Sequence, residues 1–245
     1  MSFVQQLENH LNQAKHGRYE IKDLNFLPSV QNMSQRKAYR VKVCAVYIEL
    51  RGANNLEISQ WERSIEAIHQ LMIDPIHQIL AEYEGQVIST PGNGILALWT
   101  ANKSNINQAV QAAMTINWML KEKYQIQESY PNFDFGIGIH HGLALAIKTR
   151  IPGTDFEDEV KYISPVINIS QTMSNQLSLP NSIGISHDVY QLLYDESVTI
   201  KKSFVLIPYQ KNIWQDNKIR FNEKTVQVKT TAHHLDYTKR SINKH

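Results

Sequence analysis

The order of the apolar patterns predicts an α+β domain, with helices packed on a mixed sheet of a ferredoxin-like plan and a C-terminal antiparallel hairpin region. Three observations carry this prediction. Short β-branched runs alternate with stretches of helical spacing. The short strands occur in pairs around glycine-containing turns. The C-terminal part carries strand patterns only. A length of 245 residues suits one large domain, or one domain with an added arm, and 42% hydrophobic against 20% charged residues provides an ordinary globular core.

Taken in order, residues 1–40 read as an N-terminal arm. Phe3 to Leu11 has amphipathic spacing that stops near Lys15-His16-Gly17, and Leu27-Pro28-Ser29 breaks the stretch beyond it. Val41 to Glu49 is a buried strand closed by Arg51-Gly52. Ile65, Ile68, Leu71 and Met72 recur at helical spacing, and so do Ile76, Ile79 and Leu80 beyond Asp74-Pro75. This is a helix interrupted or restarted at the proline and ended by Glu84-Gly85. Gln86 to Ser89 and Ile95 to Trp99 are strands around the turn Thr90-Pro91-Gly92-Asn93-Gly94.

Ile106, Ala109, Val110, Ala113 and Leu120 mark a second long helix that Ser104 can cap. Phe133 to His140 and Leu143 to Thr149 are expected as two strands separated by His141-Gly142, and Val160 to Ile163 as another. Val166 to Leu177 has helical spacing, and Ser186-His187-Asp188 can cap a short helix running to Leu193. Val198 to Ile207, Lys218 to Phe221 and Thr225 to Thr231 complete the strands. The expected organisation is an arm over 1–40, a domain over 41–232 and a basic tail over 233–245.

Composition excludes several classes. No apolar run approaches the length of a membrane helix, and the amino terminus lacks the pattern of a secretory signal. One cysteine, Cys44, rules out an internal disulfide and a cysteine-based zinc site, and it favours a reducing, cytoplasmic setting. The net charge of +2 makes no case for nucleic acid. Charge is uneven, with residues 199–245 at +7 and residues 1–198 at −5, and a solvated strand face plus a basic end accounts for it.

The chemistry centres on two turns. Glu49-Leu50-Arg51-Gly52 ends the first strand, and Gly92-Asn93-Gly94 joins the next two. A carboxylate at a strand end beside a glycine turn with free amides can hold a divalent metal and the phosphates it bridges. Acidic residues end many strands, so the pair gains meaning from its company. The segments Val43 to Gly52, Thr90 to Trp99, Phe135 to Gly142, Tyr162 to Ser170 and Ile183 to Tyr190 occur in the order found in class III nucleotidyl cyclases. They resemble that family's strand-Asp-Ile-Arg-Gly motif, its Gly-Asp-Gly hairpin, its Gly-Ile-Gly-Ile-His-x-Gly strand, its Val-Asn-x-Ala helix start and its Ser-x-x-Val-Tyr helix. The resemblance covers roughly residues 41–195. The leading arm and the long link from Lys148 to Val160 are similar to bacterial pyrimidine cyclases of anti-phage signalling (Pycsar type).

The resemblance implies a class III cyclase-type sandwich. It also implies a soluble homodimer with sites at its interface, an NTP as substrate or ligand, and Mg²⁺ or Mn²⁺ as cofactor. In the family, metal-activated attack of the ribose 3′-hydroxyl on the α-phosphate releases pyrophosphate and a 3′,5′-cyclic nucleotide. Carried over by position, Glu49, Leu50 and Asn93 are the metal ligands, and Arg51, Gly52 and Ala53 are the phosphate contacts. Asn168 and Thr172 are the catalytic positions; Ser89 and Lys161 are the base-reading ones. Five of these depart from the pattern. Glu49 replaces Asp, Asn93 replaces the second Asp, Thr172 replaces an Arg whose fork holds phosphate, and Ser89 and Lys161 replace the adenine-reading Lys and Asp. The departures leave two alternatives: a cyclase that favours pyrimidine NTPs, or a degenerate pseudo-cyclase that serves as a dimeric nucleotide-binding module. The His140-His141 pair points to opposite strand faces and does not chelate one ion, and His233-His234 is set aside on the same ground. Trp61, Trp99 and Trp118 are expected in the core or an interface. Cys44 is expected to be inert.

Overall fold

The computed structural model describes residue 5 and residues 20–52, 72–123, 133–149, 158–193 and 213–232. Apart from residue 5, the helix expected over Phe3 to Leu11 lies outside the described residues, as do the helical spacing over Ile65 to Leu71, the strand over Val198 to Ile207, and Ala53, Trp61, His233 and His234. The chain divides into two compact units, residues 1–42 with 143–164 and residues 43–142 with 165–245. Strands β2 (Lys37–Arg51) and β5 (Asp134–Thr149) contribute to both.

In the first unit, β1 (Glu20–Leu24) pairs in parallel with the start of β2, from Glu20 opposite Lys37 to Leu24 opposite Val41. Its Glu-Ile-Lys-Asp sequence has no apolar face, so periodicity does not reveal it. Pairing and cross-strand charge hold it, with Lys37 Nζ 2.9 Å from Glu20 and Arg40 Nη2 2.8 Å from Asp23. This strand, and the start of β2 at Lys37, occupy part of the stretch read as an arm. Strand β6 (Glu159–Ile163) runs antiparallel to residues Leu145 to Thr149 of β5. Val160 and Tyr162 pack with Met33, Tyr39 and Ala146, while Glu159, Lys161 and Ile163 alternate outward.

The second unit is built on the strand order β3-β4-β2-β5-β7-β9-β8, with β3 at Gln86–Ser89, β4 at Gly94–Thr100, β7 at Ile183–Ser186, β8 at Gln215–Phe221 and β9 at Lys224–Thr231. The pair β5/β7 is parallel, and β2/β4, β3/β4, β7/β9 and β8/β9 are antiparallel, so the sheet is mixed as expected. Four α-helices accompany it among the described residues: α1 (Asp74–Glu82), α2 (Lys103–Trp118), α3 (Pro165–Gln176) and α4 (His187–Leu193). Period-2 alternation sorts them onto the two faces. Cys44, Val46, Ile48 and Leu50 join Trp99, Phe135, Ile137 and Ile139 against α1, α2 and α4 in the main core. The opposite face, with Ala45 and Tyr47, receives α3, whose Met173 packs together with Leu177 just beyond the helix on Ile219 and Val228 of the β8–β9 hairpin.

Two expectations are corrected. His141-Gly142 does not break β5, which runs unbroken from Asp134 to Thr149. Gly142 is not among the left-handed glycines, and its missing side chain instead makes room for Val166, whose Cγ2 would lie 2.7 Å from a Cβ there. Asn102, not Ser104, caps α2, because its side-chain oxygen accepts the Asn105 amide at 2.8 Å. Pro75 lies in the first turn of α1, and Ile73 before it is already in a helical conformation with no side-chain cap, so the described residues show no break at the proline. Trp99 is buried and donates its ring N–H to the Tyr83 carbonyl at 2.8 Å. No described helix is long and apolar enough to cross a membrane.

Candidate functional site

The antiparallel register of β2 and β4 places Glu49 directly opposite Gly94, and the Leu50 amide donates to the Asn93 carbonyl at 3.0 Å. The two turns singled out in the sequence therefore lie side by side. Alternation along β2 puts Tyr47, Glu49 and Arg51 on the face that α3 covers. Glycine makes this packing possible. A Cβ at Gly94 would fall 2.2 Å from the Tyr47 hydroxyl, and one at Gly138 would fall 2.1 Å from the Ser170 carbonyl oxygen. Tyr47 thus crosses the turn, and its hydroxyl accepts a hydrogen bond from Gln171 Nε2 of α3 at 3.1 Å. Ser170 Oγ donates to the Ala45 carbonyl at 3.2 Å and ties the same helix to the same strand.

Glu49 is half-buried, and desolvation raises its carboxyl above the usual value, with the nearby Arg51 charge opposing. Burial, together with the Glu49 charge, pushes the Tyr47 hydroxyl up against the opposing Gln171 bond. Asn168 is exposed in the first half of α3, and Thr172 lies one turn further on the same side of that helix. Gly52 comes next at the strand end with φ 86°, a conformation that favours glycine. Ser89 sits exposed at the end of β3, beyond an irregularity in its pairing with β4. Lys161 belongs to the other unit, on the outward side of β6, 3.0 Å from Glu159.

Arg51, expected as a phosphate contact, has its guanidinium engaged by protein acceptors. Nε and Nη2 bond Asp134 Oδ2 at 3.2 and 2.8 Å, Nη1 bonds the Ser174 carbonyl at 3.1 Å, and Nη2 also bonds the Leu177 carbonyl. Sequence reasoning passed over Tyr47, Gln171 and Asp134. The signals available were an aromatic two residues before the strand-end carboxylate and the Gly-x-Gly period of β5.

Among the described residues, no group of three or more His, Cys, Asp or Glu side chains is placed to hold a metal ion. Of the three residues assigned as metal ligands, Glu49 brings a carboxylate and pairs opposite Gly94, next to Asn93, while Leu50 and Asn93 have only carbonyl-type oxygens to give. Hard oxygens of this kind suit a divalent ion that shares substrate oxygens, and they include no second carboxylate for a second ion.

No family model matches the chain. It is 24% identical over 191 residues to a uridylate cyclase of Treponema porcinum, covering 75% of this chain and 66% of that protein. Over 158 residues it is 24% identical to a uridylate cyclase of Gulbenkiania mobilis, covering 60% of this chain and 61% of that protein. Each match spans just under two thirds of the relative's length. Among solved structures, the adenylyl cyclase CyaB from P. aeruginosa superimposes with a TM-score of 0.59 at 16% identity, covering 82% of this chain and 96% of that one. The guanylate cyclase domain of RhGC from Catenaria anguillulae, solved in complex with GTP, gives 0.55 at 13% identity, with 81% and 100% covered. The fold is that of the class III nucleotidyl cyclases.

Proposed function

We propose that this protein is a nucleotidyl cyclase of pyrimidine preference. It converts an NTP, UTP first, to a 3′,5′-cyclic nucleotide and pyrophosphate in bacterial signalling or anti-phage defence. One observation carries the reading: Glu49 stands opposite the Gly94 turn, beside the helix that bears Asn168 and Thr172, in a fold shared with cyclases. The two relatives named uridylate cyclase support the pyrimidine preference.

Glu49, the Leu50 carbonyl and Asn93 would hold a single divalent ion. When bound, that ion neutralises triphosphate charge and lowers the pKa of the ribose 3′-hydroxyl. The amides of Gly52 and Ala53 bind phosphate oxygens. Asn168 and Thr172, from the second chain of a homodimer, donate hydrogen bonds to the charge that develops on the α-phosphate. The 3′-oxygen attacks the α-phosphorus, the bond to the bridging oxygen of pyrophosphate breaks, and the hydroxyl proton passes to solvent. By resemblance, Ser89 would stand at a base-reading position.

A second reading has a specific observation behind it. Asn93 and Thr172 carry no charge where the family pattern has Asp and Arg, and this favours a dimeric nucleotide-binding module without turnover. Incubation with each NTP and Mn²⁺, read by mass spectrometry, separates the two. Cyclic UMP as the main product supports the enzyme. Binding by calorimetry without any cyclic product supports the module. Absence of binding at millimolar NTP refutes both.

A further inference from the structure

We propose that Arg51 is a positioning residue. It locks the C-terminal end of α3 and the start of β5 to the strand end that bears Glu49, and it is not a phosphate ligand. The inference rests on the nucleotide-site reading above and deepens it.

Helix α3 ends at Gln176, so the Ser174 carbonyl is among the last four of the helix, those that lack a regular intrahelical partner. Arg51 Nη1 donates to it at 3.1 Å, and Nη2 donates to the carbonyl of Leu177 just beyond. A fixed cation at this end also matches the helix dipole. Nε and Nη2 hold Asp134 Oδ2, and Asp134 Oδ1 accepts the Leu179 amide at 3.0 Å. One planar fork thus joins three elements, a task that the point charge of lysine cannot reproduce.

Helix α3 meets β2 at three heights: Ser170 on Ala45, Gln171 on Tyr47, and its C-terminal carbonyls on Arg51. Glu49 lies between the second and third of these, on the same face of the strand. The Arg51 clamp therefore fixes the strand end that bears Glu49 on α3 and β5 of the same chain, and with it the helix that presents Asn168 and Thr172 to the partner's nucleotide.

The test compares R51Q, R51K, D134N and the double variant R51Q/D134N in the full chain. Mn²⁺-dependent UTP affinity is read by calorimetry well below each melting temperature, and hydrogen exchange is monitored over residues 174–179. A positioning role predicts that R51Q and D134N each weaken affinity by about two- to thirtyfold, with R51K in between and the double variant no worse than the poorer single one. Both single variants also speed exchange at the α3 end. A phosphate-ligand role predicts the opposite for D134N. Freeing the fork would leave affinity unchanged or raise it while R51Q abolishes binding, and that result overturns the proposal. If R51Q does not fold, D134N and R51K decide the question on the same criteria. Unchanged exchange in folded D134N and R51K overturns the lock itself. Failure of the unsubstituted chain to bind UTP overturns the nucleotide-site reading and the positioning role with it, while exchange still reports whether the lock exists.

Discussion

The close approach of α3 to β5 can be tested with one methyl group. A Cβ at Gly138 would lie 2.1 Å from the Ser170 carbonyl oxygen and 2.8 Å from the Ser174 amide nitrogen, both main-chain atoms of α3. Ordinary contact begins near 3.4 Å, so Gly138→Ala requires the helix to retreat from the sheet by more than 1 Å. That retreat stretches the Ser170–Ala45 and Gln171–Tyr47 hydrogen bonds and loosens Met173 and Leu177 on the β8–β9 hairpin. Overpacking costs roughly 1–3 kcal/mol, and each weakened hydrogen bond about 1 kcal/mol. A total of about 3 kcal/mol lowers Tm by roughly 6–12 °C in a chain of this size. Gly92→Ala is the control. Gly92 has open space around it and φ 57°, so only left-handed strain of about 1–2 kcal/mol applies. Thermal melts recorded by circular dichroism compare the two variants. A Gly138→Ala protein that melts within about 2 °C of the parent, or no lower than Gly92→Ala, would refute the packing argument.

Asn93→Asp adds a carboxylate beside Glu49 and should lower the Kd for Mn²⁺ by roughly tenfold, at some cost in metal-free stability from like-charge repulsion. Calorimetry with and without Mn²⁺ checks both effects. His140, bonded to Ser186 Oγ at 2.8 Å, is held by burial and by neighbouring His141 at about 4, against an ordinary 6.5, with Asp188 opposing. The unfolded chain therefore takes up the proton first. Stability present above pH 6.5 drains away as pH falls toward 4, by up to about 3 kcal/mol, and urea melts across that range should flatten in His140→Gln. Cys44 is fully buried and its thiol is pushed up to about 12, so a thiol reagent should label the native protein negligibly and the urea-unfolded chain stoichiometrically.

Much of the fold was legible because local pattern and tertiary demand agree. Val41 to Glu49, Gln86 to Ser89, Ile95 to Trp99 and the helices at Ile106 and Ile169 were readable from apolar period and turn residues. What failed has identifiable causes. Strand β1 alternates so that neither face is apolar, and it exists through pairing with β2. Gly142 looked like a break, but glycine also serves where a neighbour needs space, and sequence alone does not separate the two uses. Ser104 and Asn102 are both capping residue types, and only the backbone geometry of α2 selects Asn102.

For the site, the sequence alone supplied the candidates: Glu49, Asn93, Asn168 and Thr172 are proposed from motif order, with Asn93 and Thr172 lacking the charge that the family pattern has there. Tertiary structure alone decided what those residues touch. The β2–β4 register sets Glu49 opposite Gly94, and the absence of side chains at Gly136 and Gly138 lets α3 reach Tyr47. The same packing turns Arg51 from a candidate phosphate donor into the clamp on Asp134, Ser174 and Leu177, residues 83 to 126 positions away in the chain. A guanidinium donates to whatever acceptors the fold brings within reach, and local sequence carries no information about acceptors so distant.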